Sequence, residues 1–188
     1  MLLFINACVR ADSRTMKLAQ ALLEKLNEEY VEVKLEDCDF PVANEVFLQK
    51  RDALIAEANW GDPLFDLARQ FAKADRIVVS APYWDLSFPA ALKQYFEQIN
   101  VLGITFEYSP EGLPIPLCKA DKLYYVTTAG GAFVPEEFGF GYVKALAQGF
   151  YGIKDVEMIK ATGLDIYGAD VDAIMKEAIH SVITKQPL

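Results

Sequence analysis

Short apolar runs alternate with segments of helical periodicity along the chain, and few folds accommodate that pattern. Residues 2–7 form a nearly continuous apolar run and 77–79 a β-branched one, as strands covered on both faces do, and 122–128 and 156–161 read as further strands. Residues 31–35 alternate apolar with charged side chains and read as a strand nearer an edge. Between them lie helical stripes. Leu18, Leu22 and Leu26 align in a segment from Thr15 to about Tyr30, and Leu64, Leu67, Ala68 and Phe71 follow the helix-start pair Asp62-Pro63. Leu92, Tyr95, Phe96 and Ile99 share one face of a helix that Ser87 can cap, with Pro89 in its first turn and an end near Gly103. Val143, Leu146, Ala147 and Phe150 mark a further helix before Gly152, and Asp170 introduces a last one through Val171, Ile174, Ala178 and Val182.

Strands separated by helices imply an α/β class with a mainly parallel, doubly wound five-stranded sheet, strand order 2-1-3-4-5, in one domain over residues 1–188. In that order the switch point, where such sheets bind ligands, lies between strands 1 and 3. The loops leaving those strands, residues 8–15 and 82–86, should therefore adjoin. Residues 37–61 show only patchy helical character over 45–58, and residues 104–117 read as a hairpin around Ser109-Pro110-Glu111-Gly112.

Composition excludes several function classes. The hydrophobic fraction is 53%, yet no run approaches the roughly 20 apolar residues of a membrane span. The first residues lack the basic leader and long apolar core of a signal peptide, so the expected location is cytoplasmic. Cys8, Cys38 and Cys118 are widely spaced without a CxxC pair, which suits reduced thiols and neither a disulfide frame nor a zinc site. A net charge of −9 repels nucleic acid and anionic membranes, so an anionic ligand needs a locally built site.

Three loops carry the candidate chemistry. In the first, Cys8 and Arg14-Thr15 match a cysteine, five residues, then arginine and a hydroxyl residue, the spacing of low-molecular-weight tyrosine phosphatases. Against a phosphatase stand the absence of glycine between them, the charge of Asp12, and the lack of an Asp-Pro near the C-terminus. The same residues also serve as a static phosphate holder: Ser13 and Thr15 offer hydroxyls, Arg14 a charge, and the helix its free N–H groups. Capping by Ser13 uses the same geometry, so both readings stand. The second loop, Pro82-Tyr83-Trp84-Asp85-Leu86, presents flat rings beyond a strand. The third, Thr127-Thr128-Ala129-Gly130-Gly131, lets backbone approach a planar ligand closely. His180 is the only histidine and lies off the apolar line of its helix, leaving no acid–base pair or metal cluster of the usual kinds. A pocket without catalytic side chains suggests a cofactor that brings its own chemistry, and flavin mononucleotide (FMN) suits it.

The chain resembles the flavodoxin-like NAD(P)H-dependent oxidoreductases, the family of FMN azoreductases and NAD(P)H:quinone reductases, over nearly its whole length. The likeness rests on Ser13-Arg14-Thr15, on Pro82 to Leu86 followed by Phe88-Pro89-Ala90-Ala91-Leu92-Lys93, and on Gly103-Ile104-Thr105-Phe106-Glu107-Tyr108. It continues through Gly112-Leu113 and Thr127 to Gly131. The resemblance implies FMN with its phosphate at Ser13, Arg14 and Thr15. Its ring would lie between Pro82, Tyr83, Trp84, Asp85 and Leu86 on one side and Thr128, Ala129, Gly130 and Gly131 on the other. It also implies NADH or NADPH as donor, a quinone-like or azo acceptor reduced by ping-pong turnover, and a homodimer that completes the sites. A flavodoxin-type electron carrier is the alternative of another class. Azoreductases usually carry asparagine where Asp85 stands and serine where Ala7 stands.

Overall fold

In the computed structural model, which describes residues 1–185, β1 (Leu2–Asn6) leads to α1 (Arg14–Leu26) and β2 (Tyr30–Lys34). Helices α2 (Glu45–Ala56) and α3 (Asp66–Lys73) precede β3 (Arg76–Ser80), and α4 (Ala90–Ile99) follows it. The short strands β4 (Phe106–Tyr108) and β5 (Pro114–Pro116) pair antiparallel as the expected hairpin. β6 (Lys122–Thr128), α5 (Phe140–Gly149), β7 (Asp155–Ala161) and α6 (Val171–Thr184) complete the chain.

Five strands form one sheet in the order β2-β1-β3-β6-β7, every neighbouring pair parallel. With the hairpin left out of the count, that is the expected 2-1-3-4-5. β1 shows why its run from Leu2 to Ile5 is apolar on every residue. Leu3 and Ile5 face a core with Phe65, Phe71 and Tyr95, while Leu2 and Phe4 face another with Leu18, Leu22 and Val182. β2 is an edge strand and buries only Val33. Among the described residues no helix is long and apolar enough to cross a membrane.

Three boundaries differ from expectation, each for a local reason. α1 stops at Leu26 because Asn27 turns left-handed (φ 49°) and returns its N–H to the Leu23 carbonyl. Tyr30 then opens β2. α4 begins at Ala90 after Pro89, and Ser87 does not cap it; the Ser87 hydroxyl donates instead to the Phe138 carbonyl at 2.7 Å. α4 also ends at Ile99, short of Gly103, because the buried Thr105 hydroxyl takes the Ile99 carbonyl at 2.7 Å and accepts from the Val101 amide at 3.2 Å. The Asp62 and Asp170 caps form as expected, with Asp62 ahead of a short 3-10 turn that runs into α3.

Candidate functional site

The parallel strands all end on one edge, and the loops after β1, β3, β6 and β7 surround a cavity of about 300 Å³ there. The first loop is organised by its helix. Ser13 is the N-cap of α1: its hydroxyl accepts from the Met16 amide at 3.2 Å and its carbonyl from Lys17. The amides of Arg14 and Thr15 precede the first intrahelical bond and remain available at the positive end of the helix. Thr15 is 1% exposed, and its hydroxyl lies 2.6 Å from that of Thr128, fastening this loop to the end of β6.

The second loop is organised by its backbone. Ala81 and Tyr83 donate to the carbonyls of Val126 and Thr128 at 2.9 and 3.0 Å, prolonging the β3–β6 pairing beyond the strands. That extension brings Pro82, Tyr83 and Trp84 to the cavity wall. The chain then reverses within four residues, with Trp84 and Ser87 exchanging amide–carbonyl bonds of 3.1 and 2.8 Å. Asp85 and Leu86, at the turn's centre, have φ of 50° and 67°. Two consecutive left-handed residues make a type I′ turn, a geometry that favours Asn-Gly or Asp-Gly. Asp tolerates it; Leu is strained there. The turn explains an amide or acid at position 85 through backbone conformation, without a ligand contact. Neither Asp85 nor Leu86 lines the cavity.

The third loop contributes Thr128, Ala129 and Gly130 to the lining, whereas Gly131 lies outside it and accepts a bond from the Gly163 amide at 2.9 Å. That bond belongs to a fourth loop, residues 163–165, which sequence reasoning missed. Leu164 and Asp165 line the cavity, and their amides donate to the carbonyls of Ala129 and Gly130. Arg14 reaches across to them, Nη1 donating to the Leu164 carbonyl at 3.0 Å and Nη2 to Asp165 Oδ1 at 2.7 Å. The signal available beforehand was position alone: these residues follow a strand that ends on the ligand edge. Val9, Arg10 and Asp12 also line the cavity without having been singled out as binding residues. Its charged lining is therefore Arg10 and Arg14 against Asp12 and Asp165.

Cys8 sits behind this loop, buried, with its sulfur 3.5 Å from the Ser80 hydroxyl and its amide on Asn6 Oδ1. Burial pushes its thiol up, and it does not line the cavity. A phosphatase nucleophile needs the opposite, an accessible thiolate held low. A larger cleft of about 660 Å³ lies where α1 and α6 meet the sheet. Its cations are engaged internally: Lys122 with Asp155 and Glu157, Lys185 with Glu157, Arg76 with Glu28.

A sheet of this order with its cavity at the switch point defines a doubly wound α/β protein of the short five-stranded kind. The chain belongs to the flavodoxin-like fold family, whose model matches residues 1–185. It is 35% identical over 191 residues to an FMN-dependent NADH:quinone oxidoreductase of Clostridium perfringens strain SM101, covering 97% of this chain and 96% of the relative. A protein of the same name from Lachnoclostridium phytofermentans is 37% identical over 185 residues, covering 93% and 92%. Among solved structures, the crystal structure of azoreductase AzrA superposes with a TM-score of 0.81 at 25% identity, over 97% of this chain and 96% of that one.

Proposed function

We propose that this protein is an FMN-dependent oxidoreductase that takes hydride from NADH or NADPH and passes it to a quinone-like or azo acceptor by a ping-pong mechanism. The observation that carries the reading is the two-ended cavity. One end offers the Arg14 and Thr15 amides, the Ser13 hydroxyl and two guanidiniums; the other offers Pro82, Tyr83 and Trp84 facing Thr128, Ala129 and Gly130. A ligand with an anion at one end and a flat ring at the other suits that donor set, and FMN is such a ligand. The names of the relatives, FMN-dependent NADH:quinone oxidoreductases, support the same assignment.

FMN when bound supplies hydride acceptance and donation at its ring. The chain's own part is to hold and orient. Ser13, Arg14 and Thr15 would hold the phosphate, and Pro82, Tyr83 and Trp84 would lie against one side of the ring. Thr128, Ala129 and Gly130 would bound the other side. Donor and acceptor would use the same open face in turn, so that stacking geometry would do the positioning. Trp84 and Leu86, with Phe133 and Phe138 on the segment that Ser87 contacts, are 38% to 77% exposed. So much apolar surface beside the cavity supports a homodimer that completes the two sites. Reduced, widely spaced thiols support a cytoplasmic setting.

The purified protein should be yellow, or turn yellow with FMN, and NADH or NADPH should bleach it at a rate that keeps pace with quinone reduction in stopped flow. A colourless protein that takes up no FMN overturns the reading. Retention of flavin without bleaching by either nucleotide makes it an electron carrier. Light scattering checks the dimer.

A further inference from the structure

Arg14 is the cation at the start of α1, yet its guanidinium is aimed at the loop after β7. Nη1 is on the Leu164 carbonyl at 3.0 Å and Nη2 on Asp165 Oδ1 at 2.7 Å. Asp165 is held in place for this. Its amide donates to the Gly130 carbonyl at 2.9 Å, and its carboxylate lies so close over Gly130 that a Cβ there would collide with Oδ2. The carboxylate thus spans the junction between the loop bearing Ser13 and the loop bearing Gly130. Its effect on charge is plain. With Asp12 and Asp165 against Arg10 and Arg14, the charged lining sums to zero within a chain of net charge −9. Among the described residues Arg10 has no ion-pair partner, whereas Arg14 has Asp165.

We propose that Asp165 determines how far the site prefers a phosphorylated flavin over an uncharged one, because its carboxylate competes with the phosphate for Arg14 and repels it. The proposal rests on the flavin reading above and deepens it. A charge-assisted bond from Arg14 is worth more to a dianionic phosphate when no carboxylate shares the guanidinium. Removing that carboxylate strengthens FMN and leaves riboflavin, which has the same ring and no phosphate, where it was. Asparagine in its place still accepts from Arg14 but carries no charge, which isolates the electrostatic part.

The test is titration of the full chain and its Asp165→Asn and Asp165→Ala variants with FMN and with riboflavin, followed by quenching of flavin fluorescence. FMN should bind about tenfold more tightly to Asp165→Asn, a change of about 1.4 kcal/mol, with riboflavin unaffected. The gain should shrink as salt is raised to about 1 M, where exposed charges are screened within about 3 Å. It should also vanish in the Arg14→Gln background, since the effect passes through Arg14. FMN binding that is unchanged or weakened in both Asp165 variants overturns the proposal, as does an equal gain for riboflavin. If the unmodified chain binds neither flavin, the site reading itself falls; if it binds FMN and Asp165→Asn gains nothing, only the role of Asp165 falls.

Discussion

The two loops beside the switch point are held by opposite means. The loop after β1 is fixed by side chains: the Ser13 cap, the Thr15–Thr128 hydroxyl pair and the Arg14–Asp165 ion pair. The loop after β3 is fixed by backbone, through amides continuing the β3–β6 ladder and a tight turn with two left-handed residues. On the proposed function the difference matches what each end would bind. An anion is met by donors and charge, whose strength depends on salt and on neighbouring carboxylates. A flat ring is met by shape, which depends on where the chain is allowed to turn. Substitutions at the anion end should act through polarity, and those at the ring end through conformation.

The junction between the two ends is the most sensitive point. A leucine at Gly130 must displace the Asp165 carboxylate and then fill the wall facing Pro82, Tyr83 and Trp84. Gly130→Leu should therefore remove flavin binding outright, seen as loss of the yellow colour from protein that still shows native circular dichroism. Retained FMN in a folded Gly130→Leu variant would place the ligand elsewhere.

At the anion end, the buried Thr15–Thr128 pair sets the next effect. Thr15→Val keeps the shape but leaves the Thr128 hydroxyl without its partner, at a cost of about 1–3 kcal/mol. For a chain of this length each kcal/mol moves Tm by about 2–4 °C. The double variant Thr15→Val/Thr128→Val removes both polar groups and should recover most of the loss, a coupling that a double-mutant cycle measures. Additive losses would show that the two hydroxyls serve other partners.

At the ring end the sign reverses. A non-glycine residue in the left-handed region costs about 1–2 kcal/mol, and glycine gives back about 0.5–1 kcal/mol through the unfolded chain. Leu86→Gly should leave Tm unchanged or raise it by up to about 6 °C, while FMN affinity falls severalfold because the turn is less preorganised. A variant that loses stability would mean the Leu86 side chain, 46% exposed, contributes packing that outweighs the strain.

These contrasts also explain what the sequence could reveal. Sheet order and the meeting of loops 8–15 and 82–86, of which 9–10, 12–15 and 82–84 line one cavity, were legible because they follow from burial patterns and topology, which a single chain displays. The caps at Ser13, Asp62 and Asp170 were legible because their donors lie two or three residues away. Ser87 misled for the opposite reason: its partner, the Phe138 carbonyl, lies 51 residues further along. Asp165 was invisible for the same cause, since its meaning lies in Arg14, 151 residues distant. The strained turn at Asp85-Leu86 carries no glycine to announce it. The backbone is forced there by the Trp84–Ser87 bonds, which no local propensity records.

The smallest effect is expected at Cys8, although it occupies the most suggestive spacing in the chain. Desolvation by burial raises its thiol, outweighing the hydroxyls nearby, so at neutral pH the neutral form dominates. Cys118 follows the same rule more strongly, pushed up by burial from 9.0 to about 12. A raised acid favours the fold while it stays protonated. That stability is complete below the ordinary thiol range and is lost as pH climbs through the raised value. Cys118→Ala should accordingly flatten the decline of stability between pH 9 and about 12, read from urea midpoints. Cys8→Ser should leave flavin content and quinone reduction within about twofold, as for substitutions outside a binding site. Alkylation of Cys8 by iodoacetamide in the folded protein should stay slow at pH 7 and accelerate only above the ordinary thiol range. Rapid alkylation at neutral pH, or p-nitrophenyl phosphate hydrolysis that Cys8→Ser abolishes, would mean that the loop after β1 works through its thiolate, and that the anion end is a reaction centre instead of a holder.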